Sequence, residues 1–232
     1  MRKKITLPTS FEEITLGTLQ KIRALEGDED VVAVKLIEIV TGIKPDEALR
    51  MKMRDRDEIL NTLVEFLSVQ PTKLIKRFTF DGVEYGFNPN LNEMTHGEFT
   101  DLKTYENNFE FMHRMMAVLY RPIIKKHDDL YEIESYEGSF KYADVMKQWP
   151  SSIALGAHVF FCDLARELLV SSLKSLRAEA QTTSKKHLVR SGDGMTRSLD
   201  LLMTTSQSLK KSQNFLLNSA LLKSLITLTS MN

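Results

Sequence analysis

A chain of 232 residues with 42% hydrophobic and 27% charged content has the composition of an ordinary globular protein, with room for one sizeable domain or two small ones. Its 31 Lys and Arg balance its 31 Asp and Glu, which argues against a dedicated nucleic-acid binder resting on many phosphate contacts. Cys162 is the single cysteine, so no internal disulfide can form, and the chain suits a reducing compartment.

The start, Met1 to Pro8, is charged but has no apolar run behind it and does not read as a signal peptide. Ile5 to Leu7 has the look of a short edge strand. Thr9, Ser10, Glu12 and Glu13 offer overlapping capping-box pairs for a helix over Phe11–Leu25, with Gly17 as an oddity inside it. A second helix is expected over Val31–Thr41, closed by Gly42 as a C-cap glycine. Pro45 sits where a first helical turn tolerates proline, ahead of Asp46–Arg50. A further helix covers Arg54–Val69, with Ile59, Leu60, Leu63, Val64, Phe66 and Leu67 on its buried side, and Pro71 ends this helical set.

The pattern then changes. Phe78 and Phe80 alternate with polar neighbours, as do Val83, Tyr85 and Phe87, and Asp81-Gly82 between them is the dipeptide of a type I′ hairpin turn. Thr95 and Glu98 have capping-box spacing for a helix start. A helix is expected over Phe109–Tyr120, ended by Pro122, and a third strand over Tyr131–Tyr136. A short helix over Ser139–Gln148 stops at Pro150. Ser151 or Ser152 then caps a long helix to about Ala180, striped by Ile153, Ala157, Phe160, Phe161, Leu164, Leu168, Leu169 and Leu173.

Beyond it, residues 181–194 read as a linker, and residues 195–232 as an amphipathic helix. Leu199, Leu202, Leu209 and Leu216 track one row of it, flanked by Leu217, Leu221 and Leu225. These seven leucines are the candidate partner-binding residues. The end is basic, with Lys185, Lys186, Arg190, Arg197, Lys210, Lys211 and Lys223 against Asp193 and Asp200. Charged and polar residues interrupt the apolar patches around 152–170 and 215–228, so neither reads as a membrane span.

The chemical motifs are thin. His96-Gly-Glu98 matches half of a zinc-deaminase signature, but the Pro-Cys-x-x-Cys half is missing, and capping explains Glu98. His158 and Cys162 share a helix face as two metal ligands would, with no second pair to complete a site, so they read as core residues. Glu132 and Glu134 read as the solvated face of a strand. Arg121 stands ready to pair with a strand carboxylate or a helix C-terminus. Met112, Met115 and Met116, clustered with Phe109 and Phe111, fit either a core or an adaptable binding surface, and the helical spacing favours the core. No metal, cofactor or catalytic residue is expected. An enzyme would need a dispersed site, for instance around His96, Glu98 and Arg121.

Several of these segments together carry a resemblance. Phe78-Thr-Phe80, Tyr85-Gly-Phe87, Met94 to Phe99, Met116 to Ile123 and Tyr131 to Glu134 resemble a group of small tailed-bacteriophage proteins, described as tail assembly chaperones or virion-associated proteins. The resemblance runs from about Phe78 to Leu168, and its motifs are structural. It implies a non-enzymatic role in the host cytoplasm, holding the helical tape-measure protein before the tail tube polymerises around it. The partners it implies are tail proteins, the tape measure or the tail tube, with self-association as a further option and neither nucleic acid nor membrane as a partner. A structural component retained in the virion, at the head–tail connector or tail, is the alternative.

The expected architecture is α+β and mainly α-helical. A helical segment at 1–71 precedes a core at 72–180, in which a three-stranded antiparallel sheet packs against helices. The linker at 181–194 and the C-terminal amphipathic helical extension at 195–232 follow.

Overall fold

The computed structural model describes residues 5–69, 73–105 and 108–183. In chain order its elements are α1 (Leu16–Arg23), α2 (Glu29–Thr41), α3 (Pro45–Leu49), α4 (Met53–Ser68), β1 (Arg77–Phe80), β2 (Val83–Phe87), α5 (His96–Tyr105), α6 (Met112–Leu119), β3 (Tyr120–His127), β4 (Leu130–Ile133), α7 (Phe140–Met146) and α8 (Ser151–Thr183). The described residues are mainly helical, with one antiparallel sheet in the order β1-β2-β3-β4. The leucine row expected at 195–232 lies outside the described residues.

The sheet has four strands where the sequence pattern suggests three. Helix α6 does stop ahead of Pro122, at Leu119, but the chain passes straight into β3 without a loop. Proline is tolerated inside β3 because its missing donor falls past the end of β4. The Pro122 carbonyl accepts from the Glu134 N–H at 2.9 Å, one residue beyond Ile133, where that strand has ended. Two residues on, the β3–β4 register slips between Ile123 and Lys125, a bulge that bends the strand. The first hairpin forms on Asp81 and Gly82 at φ 48° and 76°, the positive values a type I′ turn needs.

One face of the sheet presents Phe78, Tyr85, Phe87 and Tyr120 to the helices. Trp149 is their common neighbour, with ring centroids 4.6 Å from Phe78, 4.8 Å from Tyr85 and 5.7 Å from Tyr120. The same junction takes in the N-terminal segment. Helix α1 starts at Leu16 rather than Phe11 because the carbonyls ahead of it are taken by α8. Ser151 N–H donates to Ile14 O at 2.9 Å and Ser152 N–H to Phe11 O at 3.0 Å, satisfying donors that a helix start leaves open. Gly17 N–H donates to the Lys147 carbonyl at 2.8 Å, and a Cβ on Gly17 would sit 3.1 Å from that oxygen, which is why glycine stands there. Ile5 to Leu7 forms no strand.

Helix α2 ends on Gly42 in the left-handed conformation, with its N–H bonded to Glu38 O. Residues of α1, α2 and α4 share one hydrophobic core with the sheet, α6 and the first turns of α8. Met112, Met115 and Met116 are buried in it, as their spacing suggests.

Candidate functional site

A buried polar cluster joins the start of α5 to β3. Thr95 and Glu98 form the expected capping box. The Thr95 N–H and hydroxyl donate to Glu98 Oε2 at 2.7 and 2.8 Å, and the Glu98 N–H returns a bond to the Thr95 hydroxyl at 3.2 Å. Glu98 Oε1 accepts from Arg121 Nη1 of β3 at 2.5 Å, and the two side chains are only 4% and 8% exposed. The guanidinium lies 5.5 Å from the ring centre of Tyr136, whose hydroxyl donates to Asp101 Oδ2 at 2.5 Å. Burial pushes the Glu98 carboxyl up, but the Thr95 bonds and the Arg121 charge outweigh it and hold it below the usual carboxylate range. Burial, with the bond to Asp101, raises the Tyr136 phenol.

The structure therefore joins Glu98 and Arg121, as an ion pair, and leaves His96 exposed at the start of α5 with no hydrogen bond to either among the described residues. Among the described residues Arg121 pairs with a helix carboxylate, neither with a strand carboxylate nor with a helix C-terminus. Both oxygens of Glu98 are held by donors of the chain itself, and the arrangement clamps α5 to β3.

The other candidates are also held by neighbours. Glu132 is exposed and meets Lys125 across the β3–β4 ladder at 2.9 Å. Glu134 is half-buried and takes the Tyr142 hydroxyl and Lys141 Nζ, which lower its carboxyl. His158 Nε2 and Cys162 Sγ approach to 3.8 Å on one buried helix face, and no group of three or more metal-ligating side chains occurs among the described residues. His113 is buried on α6 with Nδ1 3.0 Å from Gln20 Nε2, an amide donor. Burial, with the Lys147 and Arg114 charges, pushes this imidazole down to about 4, so it is neutral at physiological pH.

Helical periodicity did not reveal which apolar side chains stay outside. Leu49 and Phe140 are each 70% exposed, and Met53 and Phe99 each 58%. Each flanks a helix boundary or lies off the buried stripe, where spacing alone leaves the facing open. The seven leucines from Leu199 to Leu225 lie outside the described residues. No helix among the described residues is long and apolar enough to cross a membrane.

Comparison of the chain with family models, curated proteins and solved structures gives no match.

Proposed function

We propose that this chain is a non-enzymatic tail assembly protein of a tailed bacteriophage, a chaperone that binds the helical tape-measure protein in the host cytoplasm. A tape measure carries long apolar helical stripes that aggregate unless covered, and helix-in-groove contact is the economical way to cover them. The resembling segments fall on β1, β2, the start of α5, the α6–β3 passage and β4, elements that build the scaffold. That placement suits a protein recognised by its fold.

The observation that carries the reading is helix α8. Ile153, Ala154, Leu155 and Ala157 lock its first turns into the core. It then runs on to Thr183, some 50 Å in all at about 1.5 Å per residue, with Arg166, Glu167, Val170, Ser171 and Lys174 exposed. A helix anchored through its first turns, with these five side chains exposed farther along, is a fitting base for the leucine row that the sequence places after it. The protein content of purified particles tests the reading. A chaperone is absent from them, whereas a fixed copy number in every particle makes this chain a virion component instead.

A further inference from the structure

We draw no further inference here: the strongest candidate, the surface patch at the start of α7 where the exposed Phe140 ring lies under the Arg114 guanidinium, 4.4 Å from its centre, is an aromatic face for which nothing in the structure shows what covers it.

Discussion

Arginine stands in opposite settings at the α5–β3 contact and at the α3–α4 elbow. Arg121 is 8% exposed and bonded to a carboxylate that is itself capping a helix, so its charge is consumed in holding two elements together. Arg50 and Lys52 are exposed beside Leu49 and Met53, and neither forms an ion pair among the described residues. Two of the three residues that a dispersed enzyme site would use, Glu98 and Arg121, face inward. Burial, more than residue type, separates the two settings.

The largest expected effect comes from breaking the inward pair. Arg121→Met leaves Glu98 buried without its cation and lowers unfolding free energy in urea by about 3–5 kcal/mol, while Glu98→Gln in the same chain restores much of it. A smaller loss follows at α8, where a Cβ on Gly156 would come within 2.3 Å of the Lys73 carbonyl. Gly156→Ala forces two backbone segments apart, at a cost of about 1–3 kcal/mol in the same titration.

Stability against pH sharpens the contrast further. Glu98 titrates below its ordinary value in the fold, so its contribution is full above the usual carboxylate range and is lost as pH falls through the depressed value. His113 titrates at about 4 against an ordinary 6.5, so only the unfolded chain binds that proton between the two. Its contribution is full above pH 6.5 and declines as pH falls toward 4. Melting temperatures across that range should show the decline, His113→Gln should flatten it, and Glu98→Gln should flatten only the part at lower pH. The smallest effect on stability is at the elbow. R50E/K52E, at two exposed positions, should stay within about 0.5 kcal/mol of the parent in urea.

Much of this architecture was legible in the residues. Asp81-Gly82 specified its turn, Thr95 and Glu98 their capping box, Gly42 and Pro45 their helix boundaries, because each acts through local backbone geometry. What was missed depended on distant neighbours. Strand β3 hides behind Pro122, since a proline reads as a stop and only the end of β4 at Ile133 makes it harmless. Helix α1 starts late because Ser151 and Ser152, well over a hundred residues away, claim the carbonyls of Phe11 and Ile14. The Glu98–Arg121 pair joins residues 23 positions apart, whose proximity exists only once α5 and β3 have come together in the fold. The exposure of Leu49 was missed because facing cannot be read from the 5 helical residues of α3.

Co-expression with the tape-measure protein, followed by separation of soluble from pelleted client, tests the central claim most directly. The account predicts a client that pellets alone and stays soluble, bound to this chain, when both are made together. A client equally soluble without this chain, or one that pellets regardless of it, contradicts the account.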